Sequence, residues 1–298
     1  MSCNWRTLLV ALSVLSAYLI WCLSFRFLPL MVAAPLGALI VAWYGSLQHE
    51  TIHGHPTSSR RLNRAIGALP LSLWVPYAIY RETHIQHHRH SGRRLTEIGR
   101  DPESFYLPPG HLASVGRVHR LVLQANCTLL GRLLLGPLLA IATFWGEEYR
   151  RARHDRRRRW IWGGHALALA VLLLWLRGVC HIPVCSYLFL VVYPSIAITH
   201  LRSFAEHQAD DQSLLRTNVV EAHPLLALLF LNNNLHVAHH AYPHAPWHEL
   251  PGIWQQMKHR GVRCGRIFNG YAEVAQDYLW RPFITAEHPL MERQDAAG

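Results

Sequence analysis

The chain has 298 residues, of which 51% are hydrophobic and only 16% are charged, and its net charge is +11. These values are typical of a membrane protein with a basic aqueous face or of a nucleic-acid-binding protein. The distribution of acids excludes the second class, because no Asp or Glu precedes Glu50 and none lies between Arg156 and Ala205. A nucleic-acid-binding protein would not bury neutral stretches of that length.

Two pairs of apolar segments predict four membrane-crossing helices. Residues 7–25 and 30–47 flank one short turn, and residues 160–176 and 182–199 flank another. Each segment has about the 20 residues that cross a bilayer. A secretory signal peptide is the alternative for the N-terminus, but the first run is long for a signal core and a second span follows at once. We therefore predict two transmembrane hairpins.

Arginine predicts the orientation of these hairpins. Arg26 and Arg177 are the only basic residues in the two short turns, whereas a dense basic run, 150–159, directly precedes the third span. By the positive-inside rule both termini are cytoplasmic, together with a cap formed by residues 48–159 and 200–298. No linker or repeat divides the chain, so we expect one domain, 1–298, in a bacterial inner membrane.

Two further apolar segments are not predicted to cross the membrane. Residues 65–80 contain Pro70 and Pro76, which favours a re-entrant or membrane-surface piece over a full span. Residues 121–145 are long enough to span, but Arg132 would place a charge at mid-membrane. We interpret them as an interfacial amphipathic helix.

Histidines recur in three short clusters within the predicted cytoplasmic cap. On a helix, offsets of three and four residues place imidazoles on one face, where they can bind a metal together. Eight imidazoles exceed the four ligands of one structural zinc and predict at least two ions. Imidazole suits iron, zinc, copper and nickel, so spacing does not identify the metal. The clusters are His49 and His53; His84, His87 and His88; and His236, His239 and His240.

These clusters resemble the histidine boxes of the membrane-bound fatty acid desaturase and hydroxylase superfamily. Residues 202–207, Arg-Ser-Phe-Ala-Glu-His, resemble that family's additional histidine motif, and residues 240–251 resemble the segment after its third box. Thr96 and Asp101-Pro102-Glu103 also match its pattern after the second box. The resemblance implies an all-α membrane enzyme with a non-haem di-iron centre, held by the eight histidines above and His207.

The resemblance also implies the reaction and its participants. Two iron ions, cycling between Fe²⁺ and Fe³⁺, would use O₂ to oxidise an unactivated C–H bond of a lipid-type substrate, with fatty acyl desaturation as the expected outcome. No haem, flavin or cysteine-ligated iron motif is present, so we expect a separate electron donor: a ferredoxin, a rubredoxin or a cytochrome. The arginine-rich face would attract an acidic carrier or anionic membrane lipids.

Four polar neighbours are candidates for outer contacts to the metal ligands. Glu50, Asp101 and Glu206 could accept imidazole N–H groups, or be ordinary polar residues of an aqueous cap. Asn232, four residues before His236, could act as an extra ligand or hydrogen-bond one, or could cap a helix.

Other outcomes stay open at the level of sequence. Many acyl desaturases have His-Asp where this chain has His49-Glu50, and alkane hydroxylase-like members use His-Glu. Hydroxylation, ketolation or oxidative decarboxylation of a lipid, alkane or carotenoid is therefore the alternative. A membrane metal transporter is a distant one, because the predicted spans contain almost no ionisable residues besides His165.

Overall fold

The computed structural model describes residues 4–91 and 94–291, and these residues are mostly helical. Two short strands, β1 and β2, are an addition to the predicted all-α fold. The elements are α1 Trp5–Ser24, α2 Leu30–Ile52, α3 Arg60–Gly67, α4 Tyr77–Arg89, α5 His111–Ser114, α6 Arg117–Ala125, α7 Leu129–Leu134, α8 Gly136–His154, α9 Arg156–Gly178, α10 Val184–Ser186, α11 Tyr193–Phe204, β1 Val219–Val220, α12 Pro224–Leu229, α13 His236–Ala241, α14 Leu250–His259, β2 Ile267–Phe268 and α15 Tyr271–Tyr278, with 3₁₀ turns at Phe25–Phe27 and Ser213–Arg216 and a π-helical turn at Tyr187–Val192.

Four helical stretches in the described residues are long and apolar enough to cross a membrane, as the sequence predicted. They run from Trp5 to Phe27, Leu30 to Ile52, Arg156 to Gly178 and Val184 to Phe204. Each extends beyond the apolar run that predicted it. The second reaches past His49, and the third starts within the basic run, where the Asp155 side chain accepts the backbone N–H groups of Arg157 and Arg158 as an N-cap.

The first two of these helices pack closely together. Trp21 lies against Gly37, where an added Cβ would come within 2.4 Å of the indole ring. The Trp21 indole N–H also donates to the Ala33 carbonyl oxygen at 2.8 Å. Trp21 is buried in the main apolar cluster, which includes residues of α1, α2 and the Tyr187–Val192 turn. Glycine at position 37 thus permits the close approach of α1 and α2.

Residues 68–76 form an irregular segment that packs into the same apolar cluster. Leu71 and Leu73 are buried there. Buried irregular backbone needs hydrogen-bond partners for its carbonyl groups. Side chains of three different candidate spans and of α8 donate to these carbonyls: Tyr44 to Leu69, Tyr187 to Leu71, His165 to Leu73 and Trp145 to Trp74. The segment is not a membrane-crossing helix, as predicted, and the Leu73 carbonyl gives His165 a structural partner.

The predicted amphipathic helix over residues 121–145 is wrong as a single element. The chain forms α6, α7 and the first half of α8 instead. The Thr128 side chain accepts the Gly131 N–H and starts α7, and Pro137 stands in the first turn of α8. Because a cap and a proline both begin new helices, one apolar stretch is divided into three.

The parallel pair β1–β2 anchors the turn before α13. Val219 and Val220 pair with Ile267 and Phe268. The Val220 N–H donates to the Asn234 carbonyl, and the Asn234 side chain donates back to the Val220 carbonyl. This reciprocal contact fixes the position at which the last histidine cluster starts.

Candidate metal centre

Nine histidines converge in two groups. Within each group the potential ligand nitrogens all lie within 4.8 Å of one another. The structure thus brings together all nine histidines predicted from the sequence, and their role as ligands stays a prediction. The first group is His49, His53, His84, His88 and His239, and the second is His87, His207, His236 and His240.

Helical geometry explains how each box divides between the groups. In α4, His84 and His88 belong to the first group and His87 to the second, and in α13 His236 and His240 belong to the second and His239 to the first. Residues i and i+4 are about 40° apart around a helix, whereas i+3 lies about 60° to the other side of residue i. A His-x-x-His-His box therefore supplies two imidazoles to one group and one to its neighbour.

Hydrogen bonds fix the tautomers of the second group. Each Nδ1 faces an oxygen acceptor and therefore carries a proton, which leaves a bare lone pair on the Nε2 of every ring that is neutral. The Ser91 hydroxyl donates to the His88 carbonyl, so its oxygen is free to accept from His240. The contacts are His87 to Asp101 Oδ1 at 2.7 Å, His207 to the Arg216 carbonyl at 3.3 Å, His236 to the Asn233 carbonyl at 3.2 Å and His240 to Ser91 Oγ at 2.8 Å.

The bare Nε2 atoms of this group face one another. The Nε2 of His236 lies 2.9 Å from that of His207 and 3.0 Å from that of His240. Lone pairs at this distance repel unless a proton or a metal cation lies between them, and the tautomers supply no proton. Two nitrogens bound at right angles to one metal, each at ~2.1 Å, would be about 3.0 Å apart. The donor set therefore fits a metal ion.

The first group shows similar spacing with fewer outer partners. The Nε2 of His84 lies 3.0 Å from those of His53 and His88, and the Nε2 of His88 lies 2.9 Å from that of His239. Glu103 accepts the Nδ1 proton of His84 at 2.9 Å. The Nδ1 of His88 is buried without a hydrogen-bond partner.

Burial keeps most of these imidazoles neutral, which is the form that binds a metal. Desolvation, followed by repulsion from neighbouring histidines, lowers the pKa of His88 to about 2 and that of His207 to about 3. The same causes hold the pKa values of His236, His239 and His240 well below their usual range. These five imidazoles are therefore neutral donors when no metal is bound.

His87 is the exception in the second group. Its burial disfavours the charged ring, but Glu103 and Asp101 outweigh this effect and raise the pKa of His87 to about 9. Burial alone would raise the pKa of both acids, whereas the facing histidines hold them below their usual range. Two carboxylates are therefore ionised beside the histidines, where they can balance the charge of a bound cation.

A comparison with protein-family models identifies the family of this chain. The model described as fatty acid desaturase matches residues 25–267, a range that contains all nine histidines. The chain belongs to the fatty acid desaturase family. No curated protein matches the chain. Membership agrees with the resemblance seen in the sequence, and the histidine cluster is compatible with a metal site in this family.

Two of the four predicted polar neighbours contact imidazoles in this desaturase-family chain. Asp101 binds His87, and both side chains are nearly inaccessible. Glu206 Oε1 lies 3.4 Å from His236 Nδ1 and 2.6 Å from an Arg202 guanidinium nitrogen. Burial raises the pKa of Glu206 to about 7, and Arg202 opposes this rise.

The other two predicted neighbours hold the chain segment at Trp247. Glu50 accepts the Trp247 N–H at 3.2 Å, and the Asn232 side-chain amide donates to the Trp247 carbonyl at 3.0 Å. α13 begins at His236 with Leu235 as its N-cap, so Asn232 is not one helical turn before His236. The spacing argument for Asn232 facing the metals therefore fails, because it assumed a helix that starts earlier.

Three contacts to the histidines were missed as site residues. Glu103 contacts His84, and its only signal in the sequence is the pattern after the second box. Asn233 contacts His236, and nothing in the sequence distinguishes it from Asn232. Ser91 carried no signal, because its contact to His240 joins residues 149 positions apart. By contrast, His55 and His248 lie outside both groups, and they bond the His244 carbonyl and Asn4 respectively.

Proposed function

We propose that this protein is a membrane-bound, oxygen-dependent desaturase of a fatty acyl or similar lipid chain. The observation that carries the proposal is the convergence of imidazole nitrogens in two adjacent groups, in a chain of the fatty acid desaturase family. Neither group contains a cysteine or a carboxylate among the described residues, which disfavours copper(I) and iron–sulfur chemistry.

Each group would hold one iron ion. His49, His53, His84, His88 and His239 are the ligands of the first, and His87, His207, His236 and His240 those of the second. When bound, the two reduced irons would activate O₂ for removal of hydrogen from an unactivated C–H bond. Asp101 and Glu103 hold the Nδ1 protons of His87 and His84, so the Nε2 lone pairs stay directed inward.

The proposed topology has two hairpins, with both termini and the metal centre in the cytoplasm. Its support is that the C-terminal end of α2 carries His49 and that His207 follows the end of α11, so both helices end at the metal centre. The basic run at the start of α9 favours the same side. We also propose a single domain in the inner membrane of a bacterium.

The electrons would come from a separate carrier, such as a ferredoxin, rubredoxin or cytochrome. Arg150, Arg156 and Arg159 are exposed where α8 meets α9 and would attract an acidic protein. Anionic lipid headgroups are the competing ligand for these side chains.

Product analysis tests the reaction. The protein would be expressed in a lipid-producing host under isotopically labelled O₂, and fatty acid and carotenoid profiles compared by mass spectrometry. A product lighter by two hydrogens, without labelled oxygen, is expected. Gain of labelled oxygen would establish hydroxylation or ketolation instead, and loss of a carbon would establish decarboxylation.

Matched histidine variants make this test specific. His236→Ala should abolish product formation, whereas His55→Ala, a buried histidine outside both groups, should leave most of it. Equal product from His236→Ala and the unaltered protein would refute the metal-centre assignment. If iron-loaded protein consumed no oxygen in the presence of a reduced carrier, the proposal that this protein is an oxygen-dependent enzyme would be refuted.

A further inference from the structure

Arg132 is a buried arginine without an acidic partner. Among the described residues, Arg132, Arg158 and Arg216 are at most 9% exposed. Arg158 lies 2.6 Å from Glu148 and Arg216 lies 3.6 Å from Glu97, but no carboxylate of the described chain lies within ion-pair distance of Arg132. An uncompensated buried charge is costly by several kcal/mol. This charge therefore calls for an anion.

The contacts that Arg132 does make leave its charge unneutralised. Its Nε donates to the Asn126 carbonyl at 3.0 Å, and its guanidinium lies 4.4 Å from the centre of the Phe105 ring. A cation–π contact supplies about 0.5–2 kcal/mol, which is less than the cost of burying the ion.

Two more unpartnered polar atoms lie beside Arg132. His200 Nδ1 and Asn126 Oδ1 are buried without hydrogen-bond partners. A Cβ added at Gly136 would lie 2.7 Å from His200 Nδ1, 2.8 Å from Arg132 Cδ and 3.2 Å from Asn126 Oδ1. Groups from α7, from the turn before it and from α11 therefore converge around Gly136, where no side chain larger than hydrogen fits.

These three groups can all present donors to one oxyanion. Arg132 supplies a fixed positive charge and planar N–H groups that suit carboxylate or phosphate. His200 donates from Nδ1 as the corresponding tautomer. Turning the Asn126 amide by a half rotation exchanges its oxygen and nitrogen, so that it donates as well.

The helices α7 and α8 beside this site also expose leucine side chains. Leu134 is 59% exposed and Leu138 is 61% exposed. Leu134 stands two residues after Arg132, and Leu138 stands two residues after Gly136, so each leucine lies on a different face of its helix. A helix pair that buries a cation on one side and exposes leucine on the other belongs at the edge of a bilayer. An oxyanion reaching it would be carried by an amphiphile.

We propose that Arg132, Asn126 and His200 bind the carboxylate or phosphate of a lipid at the membrane surface. This inference rests on the membrane location and is independent of the oxidation chemistry, so binding rather than turnover tests it. The protein would be placed in phosphatidylcholine nanodiscs and titrated with palmitate, with phosphatidylglycerol or with inorganic phosphate, while native mass spectrometry counts the bound molecules.

The expected result is saturable binding of about one palmitate or one phosphatidylglycerol, weakened roughly tenfold to a hundredfold in Arg132→Gln, as expected for charged hydrogen bonds. Arg177→Gln removes the same charge from the exposed C-terminal end of α9 and should bind as the unaltered protein does. Which lipid binds identifies the source of the oxyanion. Binding of inorganic phosphate alone, or no saturable binding, would overturn the proposal.

Two further variants separate binding from folding. Gly136→Ala keeps every charge but places a methyl group among the three donors, so it should weaken binding as Arg132→Gln does. Asn126→Ala removes a buried unpartnered atom, so its thermal stability should be unchanged or higher while lipid affinity falls. Unchanged lipid affinity in folded Asn126→Ala and Arg132→Gln proteins would refute the site.

Discussion

Replacing Asp101 by asparagine should weaken metal binding, because it alters the hydrogen bond that orients the His87 ring. Asp101 Oδ1 accepts the His87 Nδ1–H at 2.7 Å and the Glu103 N–H at 2.9 Å, and Oδ2 accepts the Thr96 N–H at 2.9 Å. Asparagine has the same shape, but it lacks the charge and presents an NH₂ group in place of one oxygen.

The size of the effect follows from these contacts. If the amide oxygen stays on His87 and Glu103, the NH₂ group meets the buried Thr96 N–H, and two donors then face each other. Loss of a charged hydrogen bond costs about 1.5–3 kcal/mol. Since about 1.4 kcal/mol is tenfold in an equilibrium constant, iron affinity should fall roughly tenfold to a hundredfold.

Competition with a chromophoric chelator measures this affinity in detergent-solubilised protein. Asp101→Asn should release iron at lower chelator concentration and recover activity when Fe²⁺ is in excess. Asp277→Asn, at an exposed ion pair with Arg266, is the matched control and should behave as the unaltered protein does. Equal iron affinity in both variants would refute the role assigned to Asp101.

Three more predictions concern the ligands, pH and the buried loop. His207→Ala should lose turnover while its metal-free thermal unfolding changes little, and retained turnover would remove His207 from the ligand set. The folded pKa values of His88 and His207 lie near 2 and 3, so the unfolded chain binds more protons below pH ~6.5, and metal-free stability should fall as pH drops from there towards 3. The pKa of His87 is raised, so the stability that its protonated form contributes should be lost as pH rises towards 9. A free energy of unfolding that does not change between pH 4 and 6.5 would contradict the prediction for His88 and His207. Tyr187→Phe leaves the Leu71 carbonyl and the Tyr18 hydroxyl without a partner and should lower the free energy of unfolding by about 1–3 kcal/mol, against a smaller loss in Tyr18→Phe.

The sequence predicted the four apolar helices because length and hydropathy are properties of a continuous segment. It underestimated their ends because α2 and α9 continue into polar residues: α2 runs through His49 to Ile52, and α9 starts at Arg156. It misread residues 121–145 because the Thr128 cap and Pro137 act locally inside an otherwise apolar run. Averages of hydrophobicity do not register such local helix-start signals.

At the metal centre, too, features set by neighbouring residues were predictable, and contacts between distant parts of the chain were not. Eight of the nine histidines were predictable because spacing on a helix determines which face they occupy, and His207 was predicted from the family resemblance alone. Their Nδ1 partners were largely not, since Ser91, Glu103 and Asn233 reach the rings through turns and tertiary contacts. Asn232 donates to the Trp247 carbonyl, and the spacing could not predict this contact because α13 begins four residues after Asn232.

The iron content of the purified protein tests the central claim most directly. Protein reconstituted with Fe²⁺ under anaerobic conditions and freed of loosely bound metal should contain two irons per chain. His53→Ala should weaken iron binding by the first group, and His207→Ala should weaken iron binding by the second. One iron per chain or none, or two irons unaffected by both variants, would contradict the two-group metal centre.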